Sequence, residues 1–160
     1  SQYHRGAFVE RFDAAAVLES HALYGVLNGI ASARAAANPN PRLLHKLDEH
    51  LVSMRRAKES RSFHKAASKY RRAINDEYAG PRLQAAIKAS LTLVPNSFWS
   101  GDVGGQDQLL PSYVAETAAI RAGDADGARD SCVGSAAVMG RLAVAELVRR
   151  RVLKPARSHT

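Results

Sequence analysis

Along residues 63–78, the apolar positions Phe63, Ala67, Tyr70, Ile74 and Tyr78 recur at steps of three and four. That period belongs to a helix with one buried face. Gly80 and Pro81 end it, glycine by accepting a left-handed cap and proline by being unable to continue a helix. Leu44, Leu47, Leu51 and Met54 repeat the period in a second seam, which Asn40 opens as N-cap and Pro41 as first helical residue. Upstream, Asp13 caps a helix whose stripe is Val17, Tyr24, Leu27 and Ala31, stopped by Asn38-Pro39-Asn40-Pro41. Gly25 and Gly29 inside it predict either an imperfect helix or a neighbour packed close against it. A fourth helix from Arg82 turns Leu83, Ile87 and Leu91 inward and ends before Pro95. Residues 96–108, with three glycines and Trp99, predict a long irregular loop. A fifth helix spans 111–122 and stops at Gly123. Asp124 caps a sixth, with Ala128, Cys132, Ser135, Met139 and Leu142 inward, that runs into the arginines at 149–151.

The pattern predicts an all-α fold, an antiparallel bundle of about six helices over residues 13–153. Residues 154–160 read as a polar, frayed tail. Residues 5–12 read as a short strand entered from a glycine turn, so residues 1–12 look like the end of a preceding domain and its linker.

Composition adds limits more than chemistry. A chain of 160 residues, 46% hydrophobic, suits one domain with a substantial core. No apolar run suggests a membrane span and no signal peptide opens the sequence. The single cysteine, Cys132, excludes an intrachain disulfide and a multi-cysteine zinc site, and fits the cytoplasm. The net charge of +8 invites a nucleic-acid reading. Its carriers, however, are scattered into short groups such as Arg55-Arg56 and Arg149-Arg150-Arg151, without the interleaved aromatics of a single-strand-binding surface.

No phosphate-binding glycine loop, HExxH, CxxC or nucleophile elbow is present, so no enzyme class is indicated. The feature that asks for an explanation is Arg71, set at the edge of the buried face of the third helix. A guanidinium there needs an anion. Either an effector supplies it or Glu116 does, unless the side chain escapes to solvent. Trp99 is read either as a lid over such a site or as an aromatic anchoring its loop.

The order of these helices and four short segments resemble the effector-binding, C-terminal domain of GntR-family transcription regulators of the FadR type (FCD). RGAFV at 5–9 resembles the last wing strand of the winged helix-turn-helix domain that precedes it in that family. Tyr24, Leu27, Asn28 and Ala31 stand where the opening helix reads R-x-x-L-E-x-x-A. YRRAINDEYAGPRL at 70–83 is similar to the F-H-R-A…A-G-N-P-x-L segment, and AIRAGDADGAR at 119–129 to the A-I-x-x-G-D-x-x-x-A run. Such domains commonly hold a divalent metal through one Asp and three His. The resemblance places those ligands at Ala67, Arg71, Tyr113 and Ser135, none of which is retained.

What the resemblance implies is therefore a sensor and dimerisation domain without that metal and without any other cofactor. An acidic small molecule would be bound in a bundle cavity by Arg71, Tyr113, Ser135, Tyr24, Asn28, Asn75 and Glu116. The expected partners are a second copy of the chain and, through a preceding domain, operator DNA; no membrane partner is expected. The rivals are a module docking a partner helix and a helical enzyme using Arg71, Glu116 and Tyr113.

Overall fold

The computed structural model describes residues 12–155. Among them lie six α-helices and one 3-10 turn: α1 (Ala14–Ala37), α2 (Pro41–Arg56), α3 (Ser60–Tyr78), α4 (Pro81–Ser90), η1 (Asn96–Ser100), α5 (Gln106–Ala122) and α6 (Ala125–Arg149). The all-α bundle is as the sequence predicts. The strand and wing expected at 5–12 and the tail end at 156–160 fall on residues outside those described, except Phe12.

Most caps act as their residue types require, but Gly80 is extended at φ −72° rather than left-handed. Ala79 is the C-cap of α3, and Gly80 with Pro81 starts α4, as proline at a first helical position allows. Asp13 accepts the Ala16 N–H at 2.8 Å, Asn40 accepts from Arg42, and Asp124 accepts from Gly127. Gly123, left-handed at φ 73°, closes α5 and reverses the chain into α6.

The most extensive pairing joins α1 to α6. Glycines make it possible. A Cβ on Gly25 would lie 2.7 Å from the Ala136 Cβ, and one on Gly29 would lie 3.0 Å from the Arg129 side chain. These two glycines mark the close neighbour, not a flaw in the helix. The main core joins α1, α2, α3 and α5 around Phe63, Tyr70, Ile74, Leu47 and Ile120, all essentially sealed from solvent. A second cluster around Val17, Val94, Trp99 and Leu147 closes the other end.

Several inward faces differ from the sequence reading. In α2 the buried set is Leu43, Leu47, Leu51 and Met54, with Leu44 only half-buried. In α1, Tyr24 and Leu27 are half-buried, and the sealed face is Val17, His21, Gly25, Asn28 and Ser32. Apolar residues lie on both sides of α1, so its period could not orient it. Only Ile87 is buried in α4, and Met139 and Leu142 of α6 are half-buried. The helix α5 starts at Gln106, with Pro111 inside it. Left-handed Gly105 (φ 87°) begins the helix and buried Leu109 anchors it, although Pro111 in its second turn removes one intrahelical hydrogen bond and crowds the carbonyl of Asp107. Residues 96–108 are correspondingly more ordered than a loop. By length and hydropathy α6 alone among the described helices is apolar enough to cross a membrane, which its many alanines and glycines hid. It is packed against α1 and α5 as a core helix.

Candidate functional site

The helix α4 packs on α1, and η1 packs on α3. Between α3, α4 and η1 a cleft of about 940 Å³ opens. Its depth is formed by Ala67, Arg71 and Asn75 of α3 with Tyr24 and Tyr113, and its apolar wall by Ile87, Leu91, Trp99 and Met139.

Beneath the cleft, Arg71 and Glu116 form a two-pronged ion pair. One terminal nitrogen donates to Oε2 at 2.6 Å and the other to Oε1 at 2.6 Å, with the side chains 9% and 1% exposed. Such a fork is the strongest common geometry for a buried carboxylate. Glu116 Oε2 also accepts from Ser32 of α1 at 2.7 Å and from the Cys132 thiol of α6 at 3.2 Å. One carboxylate thus ties α1, α3, α5 and α6 together. Burial pushes the Cys132 thiol up to about 12, with the Arg71 charge opposing it and the neighbouring carboxylate adding to it, so it remains a thiol donor. Burial likewise raises the hydroxyls of Tyr24 and Tyr113 above the ordinary tyrosine value, with the Arg71 charge opposing it.

The predicted site residues divide into three groups. Tyr24, Arg71, Asn75 and Tyr113 line the cleft. Asn28 and Glu116 stand behind it: Asn28 donates to the Tyr24 carbonyl and accepts from Asn75, both at 2.7 Å, while Glu116 holds Arg71. Ser135 is buried in α6, where it donates to the Cys132 carbonyl at 3.2 Å, and it does not line the cleft. Its position one turn beyond Cys132 lets its hydroxyl fold back on its own helix. Of the readings open for Arg71, the geometry supplies an internal partner: both terminal nitrogens meet Glu116.

Two histidines were not among the predicted site residues. His64 lines the cleft, and its Nε2 lies 2.9 Å from the Gly104 carbonyl; Ser60 accepts from the Gly104 N–H at 2.8 Å. Those two bonds pin the 101–105 segment to α3. Trp99 packs between His64, at 4.8 Å between ring centroids, and His21, at 6.3 Å. It is buried and lines the cleft, so it is a wall of the site and an anchor of its own segment at once. Two residues of the lining, Trp99 (Nε1) and Asn75 (Oδ1), each bury a polar atom with no protein partner. No local sequence signal marks the contact of His64 with a residue forty positions later.

A family model described as the FCD domain matches residues 19–134. The chain belongs to the FCD-domain family. Two curated relatives, each 54% identical over 155 residues, are named uncharacterized HTH-type transcriptional regulators of Mycobacterium tuberculosis, from strain CDC 1551 / Oshkosh and strain ATCC 25618 / H37Rv. The alignment covers 97% of this chain and 64% of each relative, so the chain spans a little under two thirds of their length. The FCD match and the names of these relatives agree with the resemblance to GntR regulators of the FadR type.

The residues present do not fit the divalent metal that such domains commonly hold. Ala67 offers no donor atom, and Arg71 offers a cation already paired with Glu116. Tyr113 keeps its proton, and Ser135 is turned to its own backbone. His21 and His64 are buried as well, and among the described residues no three His, Cys, Asp or Glu side chains gather as a ligand set.

Proposed function

We propose that this chain is the ligand-sensing and dimerisation part of a cytoplasmic, DNA-binding transcription regulator, that it is not an enzyme, and that it takes an anionic small molecule in the α3–α4 cleft without a metal. The observation that carries this reading is the cleft itself, which lies directly above the Arg71–Glu116 pair at the family's ligand-bearing helix. A cleft of this volume is of the size that small-molecule sites take, and it sets one apolar wall against convergent polar and charged groups.

Arg71 and Asn75 floor the cleft, Tyr24 and Tyr113 bring hydroxyl-bearing rings to it, and Trp99 closes one wall. Glu116 and Asn28 hold that floor from behind, so a ligand seated on Arg71 and Asn75 presses on groups tied to α1 and α6. Signalling requires that the ligand prefer one of two arrangements.

The opposite side of α1 supports a homodimer. Leu18, Ala22, Leu23, Val26 and Ile30 form an exposed apolar face interrupted only by Glu19, and Val133 of α6 adds to it beside Gly25. An exposed apolar face of this kind marks an interaction surface, and a two-fold dimer is the commonest way to cover one. A dimer would present two DNA-binding domains to a pseudo-palindromic operator.

The test uses the full-length regulator. DNA fragments it retains are selected from a random pool, and their affinity is measured with and without small molecules that shift Trp99 fluorescence. A ligand that alters DNA affinity supports the reading; ligands that bind the cleft and leave DNA affinity unchanged contradict it.

A further inference from the structure

Resting on the reading of the cleft as the effector site, we infer that its ligand is a multiply charged anion carrying an apolar portion. Charge accounting leads there. The cation at the depth of the cleft, Arg71, is already neutralised by Glu116 through both terminal nitrogens. A single carboxylate entering that depth meets no unspent buried charge. The unspent charge lies at the mouth. Lys65, Lys69 and Arg72 stand on successive turns of α3, Lys88 faces them from α4, and all four line the cleft. Arg61 lies one turn earlier, 3.9 Å from Glu59. Asp76 is the sole carboxylate in the lining.

Exposed cations interact weakly one at a time, and their field adds when one ligand meets several. A monoanion therefore gains little from this rim, while a ligand with two or more charges bridges its two walls. Below the rim, Ile87, Leu91, Trp99 and Met139 make the wall apolar and aromatic. A bare inorganic anion leaves that wall unused. The volume of about 940 Å³ has room for a body as well as a headgroup. The charge arrangement suits a phosphate ester or an aromatic dicarboxylate alike.

Titration calorimetry with four probes at constant ionic strength and about pH 7.5, above the second phosphate ionisation, separates charge from ring. Phenyl phosphate and phthalate carry a ring and two charges, benzoate a ring and one charge, and inorganic phosphate the charge without the ring. Phenyl phosphate, phthalate or both should bind roughly tenfold tighter than benzoate, as a few added rim contacts allow. The tighter of the two identifies the headgroup, and inorganic phosphate should bind more weakly than phenyl phosphate. In the Lys69→Gln/Lys88→Gln variant the dianion affinity should fall to that of benzoate, with benzoate unchanged. Both substitutions are exposed, so the fold should be retained.

Equal affinity for benzoate and the dianions, or dianion affinity unaltered in the double variant, would overturn the inference. Benzoate binding alone overturns it while leaving a monoanionic effector in place. Absence of binding by all four probes also overturns it, and the proposed function then stands or falls on the DNA measurement above.

Discussion

Arg71 and Glu116, forty-five residues apart, meet through two parallel N–H···O bonds of 2.6 Å in the interior of the bundle. Removing one charge from such a pair strands the other, which costs about 3–5 kcal/mol. Arg71→Met should therefore destabilise the domain by that order in urea unfolding. The double variant Arg71→Met/Glu116→Leu should recover part of the loss, because two buried charges are exchanged for apolar groups while the Ser32 hydroxyl loses its acceptor, at a cost of about 1–3 kcal/mol. A double variant no more stable than Arg71→Met would contradict a loss that comes from the stranded Glu116 charge.

His21 and His64 give the domain an acid limit. Burial holds both below the ordinary 6.5, against a raising contribution from each ring's backbone hydrogen bond. A lowered pKa means the folded chain favours the neutral ring more than the unfolded chain does. Their contribution is thus complete above 6.5 and is lost as pH falls through the folded values. The melting temperature should hold steady above about pH 7 and decline below about 6.5. Trp99 fluorescence should change over the same range, since both rings pack on it. A His21→Phe/His64→Phe variant with an unaltered acid decline would assign it elsewhere.

Gly25 sets the spacing of α1 and α6. In Gly25→Val the added side chain meets Ala136 and the Val133 backbone, and overpacking of this kind costs about 1–3 kcal/mol. Gly134→Ala, whose Cβ enters open space, should be tolerated. Thermal melts of the two variants check the contrast.

The exposed apolar face of α1 predicts self-association. Val26→Glu, at a residue 52% exposed, should leave the monomer folded and shift sedimentation from dimer to monomer. A wild-type chain that sediments as a monomer at high concentration would contradict the assigned role of that face.

The bundle was legible because caps and stops are local. Asp13, Asn40-Pro41 and Gly123-Asp124 each declare an end through backbone chemistry that needs no partner, and Gly80-Pro81 marks the break between α3 and α4 without the expected left-handed cap. Faces were legible only where one side of a helix is polar. In α3 the stripe of Phe63, Ala67, Tyr70 and Ile74 is buried as its period requires, and Arg71 sits at its edge. In α1, apolar on both sides, period alone could not separate the core face from the exposed one. The site was half legible. Tyr24, Arg71, Asn75 and Tyr113 converge on one cleft, whereas the cations of α3 and α4 and the His64–Gly104 bond depend on how distant segments cross.

The most direct test of the cleft as effector site is a fluorescence titration, since Trp99 is the chain's single tryptophan and lines that cleft. Small anions that raise the melting temperature of the wild-type protein would be titrated against wild type and Ser68→Phe, which fills the cleft from the half-buried side of α3. The predicted result is a saturable change in Trp99 emission in the wild type that is lost in Ser68→Phe while the fold is retained. A stabilising ligand that leaves Trp99 silent, or that binds Ser68→Phe with wild-type affinity, would contradict it.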